Sequence, residues 1–256
     1  LHAHGQTPEA FEMMAHDGIT SALELEVGTA DVADWYAKRN GAQLIHYGVS
    51  VGHLQVRMKV MGDKGGLLPS GPANSEPASA AQIDEMEALM QKGLEDGAIS
   101  LGFGMAYTPA ASEEEFRRMM AIGGKSGASA HIHVRSGMSG LKEAIAMAAE
   151  TNTALHVVHV NSSGGANTED FLAEIQAAID RGQDVSTEAY PYEAGMTSIQ
   201  SALFDGWEEW NDERIERHQW PETGEFLNRE SFGKYRNSGG NVIIHSRTCL
   251  LYTSPS

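Results

Sequence analysis

Short apolar runs alternate with helical patterns along most of this chain, and this alternation constrains the fold more than any other feature. Seven strand-like runs, from LHAH at residue 1 to DVSTEAY near residue 187, are separated by segments whose apolar residues recur at helical spacing. Such alternation predicts successive βα units around a parallel sheet. Seven units are one fewer than a closed (β/α)₈ barrel contains. We therefore predict an α/β fold, a TIM-type barrel that is incomplete.

The same patterns predict the boundaries of the elements. Helices are expected over 8–17, 29–40, 79–97, 112–127, 140–152 and 167–182, with a loop rich in Gly, Pro and Ser over 62–80. From about residue 198 an irregular, aromatic and acidic stretch follows, and NVIIH near residue 243 could form another strand. The tail SRTCLLYTSPS has neither period nor cap and resembles read-through of adapter sequence. We predict a partial catalytic barrel over 1–245 and a non-native tail over 246–256.

Composition excludes several classes of partner. The net charge of −17 argues against nucleic acid or an anionic membrane, because a polyanion would be repelled. Cys249 is the only cysteine, which precludes an internal disulfide and fits a reducing cytoplasm. No stretch has the roughly 20 apolar residues that span a bilayer. Because Leu1 opens what reads as a core strand, we expect the chain to be a fragment of a cytoplasmic protein.

Side chains that commonly bind metals stand late in four of the apolar runs. Functional groups of a parallel barrel collect at the carboxyl ends of its strands, and zinc takes imidazole and carboxylate ligands. Alternate residues of a strand share a face, so an H-x-H pair could hold one ion. Such a pair also arises by chance among 11 histidines, so the prediction rests on the whole set. The candidate ligands are His2, His4, Glu26, His133 and His159.

Strand parity sharpens the prediction for the carboxylates. In SALELEV, Leu23 and Leu25 suit the helix-facing side, which leaves Glu24 and Glu26 pointing into the barrel. An unpaired buried charge costs on the order of several kcal/mol, and a cation would remove that cost. The alternative is a solvated edge strand. Glu26, nearer the strand end, is predicted to contact metal, with Glu24 deeper as its support.

Parity also sorts the histidines of the two later strands. His133 is predicted to point inward near its strand end, with His131 on the same face as a core or supporting residue. His159 shares parity with Val157 and is also taken as inward, which leaves His156 on the opposite face in a structural role.

Several segments, in order and on alternate strands, resemble the amidohydrolase superfamily, specifically its N-acyl-D-amino-acid deacylase branch. The resemblance runs from residue 1 to about residue 245. It rests on LHAHG, DGITSALELEVG, GLEDGAISLGFGMAYTP, HIHVR, ALHVVHVNSSGG and GQDVSTEAYPYEAGMT. The resemblance implies that LHAHG is strand one, cut just after the residues that link it to an upstream β-sandwich.

The family's site, carried over by position, implies one or two zinc ions. His2 and His4 would bind one ion, and His133 and His159 the second. The resemblance also implies a small-molecule amide substrate near three tyrosines, Tyr107, Tyr190 and Tyr192. Arg135 and Asn161 stand where polar side chains could bind the carboxylate or amide of an acyl-amino acid, although an arginine two residues past a strand histidine can also be an ordinary surface residue.

Two departures from the family pattern affect the expected chemistry. Val27 occupies the place of the cysteine that usually bridges the metals, with Glu26 just before it, so the bridge is Glu26 or absent. The aspartate of strand eight, the family's general base, is not recognisable in this chain. We therefore assign no catalytic residue within it, expect the base downstream, and expect the 256-residue chain alone to aggregate, bind zinc weakly and lack activity.

The resulting expectation is a zinc-dependent hydrolase that cleaves the amide of an N-acyl-amino acid by metal-activated water. One alternative is a cyclic-amide hydrolase of the dihydroorotase or hydantoinase type, although AISLGFG lacks the lysine that usually bridges metals there. Another is a metal-binding homologue without catalysis.

Overall fold

The alternation of strands and helices builds a parallel sheet in the computed structural model, which describes residues 2–4, 7–41 and 43–245. Nine strands lie in this part of the chain: β1 Ser21–Thr29, β2 His46–Gly52, β3 Leu101–Gly104, β4 Ala130–His133, β5 Leu155–Val157, β6 Val185–Thr187, β7 Ala194–Ser198, β8 His218–Gln219 and β9 Asn241–His245. Its α-helices are α1 Pro8–His16, α2 Val32–Ala37, α3 His53–Met61, α4 Pro72–Ser75, α5 Ala80–Glu95, α6 Glu113–Ser126, α7 Gly137–Thr151, α8 Val160–Gly164, α9 Thr168–Asp180, α10 Asp212–Ile215 and α11 Arg229–Ser238.

The first six strands form one parallel sheet in chain order, β1 to β6. His2 adds a parallel bridge to Leu23 beside β1, so the segment that contains His2 takes the first of seven strand positions. The sheet does not close on itself within the described residues. The predicted fold class, an incomplete (β/α)₈ barrel, is confirmed.

The two faces of the sheet have opposite chemistry. The face toward the helices carries apolar residues such as Leu101, Ile132 and Val157, which join the largest core cluster. On the interior face, His131 is in register with His156, and His156 with Ser186. Successive residues of a strand point to opposite faces, so one short strand supplies both surfaces. The polar interior is therefore set by the same alternation that builds the core.

Capping residues set the ends of the longer helices. Ser79 and Gln82 form a capping box at the start of α5, and the side chain of Ser112 accepts the Glu115 amide at the start of α6. Gly127 ends α6 in the left-handed conformation, φ +77°. All six predicted helices are present, with ends that differ by a few residues.

Helix α3, directly after β2, was not predicted. Its buried residues include polar His53 and Arg57 as well as Leu54, Val56 and Met58, so no single apolar stripe marks it in the sequence. The predicted loop over 62–80 also contains the short helix α4.

A fully buried ionic network joins α3 to α6. The Arg57 guanidinium donates to Glu115 and, through Nε, to the Ala73 carbonyl at 2.8 Å. His53 Nε2 lies 2.7 Å from the other Glu115 oxygen, and all three charged or polar side chains are inaccessible to solvent. Burial alone would raise the pKa of Glu115, but the hydrogen bonds and charges of His53 and Arg57 outweigh it and lower that pKa. The network locks the loop before α5 onto the barrel.

Residues from 194 onward form a separate small sheet rather than another βα unit. Strand β9, the predicted NVIIH strand, lies between β7 and β8 in an antiparallel arrangement. Its core includes Phe204 and Phe232, and Trp220 stacks on Tyr235 with ring centroids 3.8 Å apart. The stretch expected to be irregular thus has its own aromatic core. The predicted tail 246–256 lies outside the described residues, so the boundary at 245 stays a prediction.

Among the described residues, no helix combines the length and apolarity that crossing a bilayer requires.

We predict that Glu115→Gln destabilises the protein by about 3–5 kcal/mol, because it leaves the buried Arg57 charge without its partner. Urea unfolding followed by circular dichroism would measure the change. Glu113→Gln is the matched control, since exposed Glu113 shares Arg117 with two other carboxylates and should cost less than about 1 kcal/mol. Equal stability of the two variants would contradict the assigned role of the network.

A second prediction concerns acid sensitivity of the small sheet. Burial lowers the pKa of His218, although its hydrogen bond to the Ile215 carbonyl partly offsets the effect. In the unfolded chain the pKa of this histidine is about 6.5, and below that pH the unfolded chain binds more protons than the folded protein does. The contribution of neutral His218 to the free energy of unfolding is therefore present above that pH and is lost as the pH falls below it.

His218→Gln, which can still donate to Ile215 but does not titrate, should therefore lose less stability than the wild type between about pH 7.5 and about pH 5.5. Tryptophan fluorescence during urea unfolding would measure this, since Trp207, Trp210 and Trp220 lie in or against this core. An identical pH dependence in both proteins would refute the prediction.

Candidate metal centre

The pairing of β1 with β2 becomes irregular close to Glu26. The pairing of β1 with β2 is regular to Glu24, opposite Val49, but then shifts so that Thr29 lies opposite Val51. Gly28 adopts φ +60° in this stretch, and a Cβ there would lie 2.4 Å from Ser50 Oγ. Bulges of this kind bend a strand and redirect its side chains. Glu24 and Glu26, two residues apart on the same face of β1, are both buried, and Glu26 is only 2% exposed.

His133 and His159 reach Glu26 by different routes. His133 is the last residue of β4 and is buried, as strand parity predicted. Strand β5 ends at Val157, however, and His159 turns inward through a left-handed conformation with φ +33° and ψ +59°. Such values are uncommon for a residue other than glycine and cluster at functional sites.

The prediction that His156 lies on the face opposite His159, in a structural role, was therefore wrong. The ring of His156 lies 5.0 Å from that of His131 and its Nδ1 is 2.9 Å from Ser186 Oγ, so it faces the interior. The prediction failed because it extended the strand through His159, whereas regular alternation stops two residues earlier.

Glu26, His133 and His159 form a compact donor set. One potential ligand atom from each lies within 4.8 Å of the other two. His159 Nε2 is 2.8 Å from Glu26 Oε2, and His133 Nδ1 is 3.3 Å from Oε1 without hydrogen-bond geometry. His4 Nε2 is 3.4 Å from Glu26 Oε2 on another side. The carboxylate of Glu26 is thus shared among three imidazoles.

The H-x-H pair forms a second donor set with Glu24. Atoms of His2, His4 and Glu24 also lie within 4.8 Å of one another. His4 Nδ1 donates to Glu24 Oε1 at 2.5 Å, and the His2 and His4 ring centroids are 4.8 Å apart. Three of the predicted histidine ligands therefore contact Glu26, and the fourth, His2, belongs to the group that contains His4 and Glu24.

Electrostatic interactions give the imidazoles of His133 and His4 different protonation states. Burial would raise the pKa of Glu26, but the neighbouring imidazoles of His159 and His133 hold it well below its usual range. Burial lowers the pKa of His133, which Glu26 only partly offsets, so this imidazole is neutral. For His4, burial opposes protonation, yet hydrogen bonds and charges of Glu24 and Glu26 raise its pKa to about 10. Metal binds the neutral imidazole, so His133 is already in the binding state, whereas binding at His4 would release a proton.

Unpartnered ring nitrogens indicate that a divalent cation fits here. His2 Nε2, His133 Nδ1 and His159 Nδ1 are buried and have no hydrogen-bond partner. A buried polar atom without a partner costs about 1–3 kcal/mol. Imidazole nitrogens with a shared carboxylate are the donor set of zinc and similar divalent ions.

The predicted tyrosines lie at different depths from this centre. Tyr107 is buried, with its ring 5.0 Å from that of His133, and burial raises the pKa of its phenol. The ring of Tyr190 lies 6.4 Å from that of His159, and Tyr192 stacks on Tyr190 at 6.2 Å but is largely exposed. Tyr107 and Tyr190 thus border the metal centre, and Tyr192 lies beyond them.

Asn161 and Arg135 contact the protein's own backbone. Asn161 Nδ2 donates to the Tyr190 carbonyl at 3.0 Å, which fixes the backbone of that tyrosine. Arg135 donates to the carbonyls of 108, 109 and 111, with its Nη2 2.7 Å from Ala111 O, and its Nε lies 3.0 Å from Glu143. These contacts give Arg135 the role of holding the loop after Tyr107, and its predicted contact with substrate has no support in this arrangement.

Sequence reasoning missed Glu188. It directly follows β6, and its Oε1 accepts from His2 Nδ1 at 2.7 Å. The rule that functional groups follow strand ends could have found it, because DVSTEAY places Glu188 where LHAH places its histidines.

Comparison with known proteins identifies relatives of this chain. No protein-family model matches it. Among curated proteins, it is 29% identical over 206 residues to a D-aminoacylase of Alcaligenes xylosoxydans xylosoxydans, covering 77% of this chain and 39% of that protein. It is 28% identical over 180 residues to an N-acyl-D-glutamate deacylase of the same organism, covering 66% of this chain and 35% of that protein. The chain thus spans less than half the length of these relatives.

Solved structures share the fold. N-acyl-D-glutamate deacylase from Bordetella bronchiseptica, solved with zinc and a phosphonate inhibitor, superposes with a TM-score of 0.75 at 20% identity, over 94% of this chain and 57% of that one. An L-hydantoinase from Arthrobacter aurescens gives a TM-score of 0.52 at 16% identity, over 73% of this chain and 43% of that one. The deacylase fold is therefore the better match.

The chain combines a parallel, barrel-like sheet with histidines and carboxylates grouped near its strand ends. The chain is thus similar in sequence to D-aminoacylase and N-acyl-D-glutamate deacylase and shares the deacylase fold, in agreement with the resemblance that the sequence motifs carry.

We predict that Glu26→Gln lowers the zinc content more than Glu24→Gln does, because Glu26 contacts three imidazoles whereas Glu24 contacts the imidazole of His4. Elemental analysis of the two variants, each at the protein's natural length and after identical dialysis, would compare them. Equal zinc stoichiometry in both would show that Glu26 is not the central ligand.

Proposed function

We propose that the protein, at its natural length, is a zinc-dependent amidohydrolase that removes the acyl group from N-acyl-D-amino acids. The observation that carries this proposal is the buried Glu26 carboxylate among His4, His133 and His159, two of which have a buried ring nitrogen without a hydrogen-bond partner. The similarity to deacylases rather than to hydantoinases supports the substrate class. A cytoplasmic location stays a prediction.

In this proposal, different residues of the chain have different roles at the site. Glu26, His133 and His159 would hold one ion and His2 with His4 a second, and such an ion supplies an activated water and polarises the scissile carbonyl. The low pKa of Glu26 keeps its carboxylate ionised as a ligand. The phenol of Tyr107 stays protonated, so it can donate a hydrogen bond toward the centre without ionising.

Amide cleavage also requires a proton for the leaving amine. The general base that accepts a proton from water and returns it to nitrogen contributes about 10²–10⁴ in rate. We assign this role to no described residue, because every carboxylate at the centre pairs with an imidazole. The aspartate expected on strand eight of the family pattern would supply it.

The test is hydrolysis by the natural-length protein of N-acetyl-D-amino acids, their L-enantiomers and a hydantoin, measured as release of free amine or of the ring-opened product. We expect turnover of the D-substrates, loss of activity after chelation and recovery with zinc. Turnover of hydantoin alone would replace the proposal with cyclic-amide hydrolysis, and zinc binding without any turnover would favour a non-catalytic homologue.

Replacement of a ligand gives a fourth prediction. His133→Asn should abolish zinc-dependent turnover because it removes a buried ligand next to Glu26. His46→Asn is the matched control, since His46 is exposed at the opposite end of β2 and should leave the rate unchanged. Normal activity of His133→Asn would contradict the assigned centre.

A further inference from the structure

Glu188 connects two parts of the metal centre. Its carbonyl accepts the Val160 amide at 2.8 Å, directly after His159, and its own amide donates to Val157 at 3.4 Å. Its backbone therefore holds the segment in which His159 adopts its left-handed conformation. Its side chain points the other way, to His2.

The contact with His2 determines which nitrogen of that ring carries the hydrogen. A carboxylate can only accept, so His2 Nδ1, 2.7 Å from Glu188 Oε1, carries the hydrogen. In the neutral ring the lone pair is then on Nε2, which is buried and has no hydrogen-bond partner. The His2 side chain is 6% exposed, which leaves little room for the ring to turn.

His4 is oriented in the same way by a different strand. Its Nδ1 donates to Glu24 Oε1, which leaves its Nε2 directed to Glu26. The two histidines of the H-x-H pair thus each have a carboxylate on Nδ1, one from β1 and one from the end of β6. Carboxylate–histidine–metal arrangements of this kind fix the tautomer and raise the basicity of the ligand.

We propose that Glu188 is a positioning residue that holds His2 as the Nδ1–H tautomer, with Nε2 presented to the ion shared with His4. This inference rests on the proposed function, because it assumes that the H-x-H pair binds a divalent cation. Glu188 acts only through His2. A second contact, 3.7 Å from Glu188 Oε2 to His156 Nε2, keeps the carboxylate over the barrel interior.

The test compares Glu188→Ala and Glu188→Gln with wild type at natural length, by zinc titration against a chromophoric chelator. We expect Glu188→Ala to weaken binding at the H-x-H pair about 10- to 100-fold and to leave the Glu26, His133 and His159 ion unchanged. Glu188→Gln, whose amide oxygen still accepts from Nδ1, should lose less. Glu193→Gln is the matched control, because Glu193 is exposed and close in sequence.

A spectroscopic measurement separates positioning from a merely structural role. In metal-free protein with ¹⁵N-labelled histidine, the His2 signals should report the Nδ1–H tautomer in wild type and a tautomer mixture in Glu188→Ala. An Nε2–H tautomer in wild type, or identical zinc affinity in wild type and Glu188→Ala, would overturn the inference. Failure of wild type to bind zinc at all would overturn the proposed function and this inference with it. If Glu188→Ala fails to fold, the wild-type tautomer and the Glu188→Gln titration still decide.

Discussion

The buried carboxylate of Glu26 is the constraint on which the rest of the site depends. An ionised carboxylate at this depth is stable only if other groups compensate for its lost hydration. Three imidazoles do so, from the chain start, from the end of β4 and from the turn after β5. Because these segments are far apart in sequence, the parallel sheet must form before the centre can exist.

A polar interior changes where the stability of the barrel comes from. The inside of such barrels is usually filled by branched apolar side chains, whereas here His131, His156 and Ser186 occupy one interior row. At Gly102 the backbone itself fills the space, since a Cβ would lie 2.4 Å from the Glu26 carbonyl. The apolar contribution to stability comes instead from the layer between the sheet and the helices, which contains the largest core cluster.

The features of the fold and of the site that the sequence predicted are those that depend on local periodicity. Strand and helix alternation, the inward direction of Glu26 and His133, and the capped helices follow from spacing alone. The failures occur where local pattern ends. Helix α3 is buried on several sides, the turn at His159 breaks parity, and Arg135 binds carbonyls more than 20 residues away. Long-range contacts such as those of Arg135 leave no periodic signal in the sequence.

Two arginines hold the loops beside this centre in place by donating hydrogen bonds to backbone carbonyls. Arg57 holds the Ala73 carbonyl, the neighbouring Asn74 carbonyl accepts the Ala110 amide, and Arg135 holds the Ala111 carbonyl. The glycine- and proline-rich loop after α3 is thereby tied to the loop that follows Tyr107. Backbone carbonyls that a sheet would satisfy are satisfied here by guanidinium groups, which offer several donors in one plane. Tyr107 can therefore keep a fixed position beside His133 although no regular element carries the segment after it. A change of sequence in either loop would have to preserve both arginine contacts for Tyr107 to stay there.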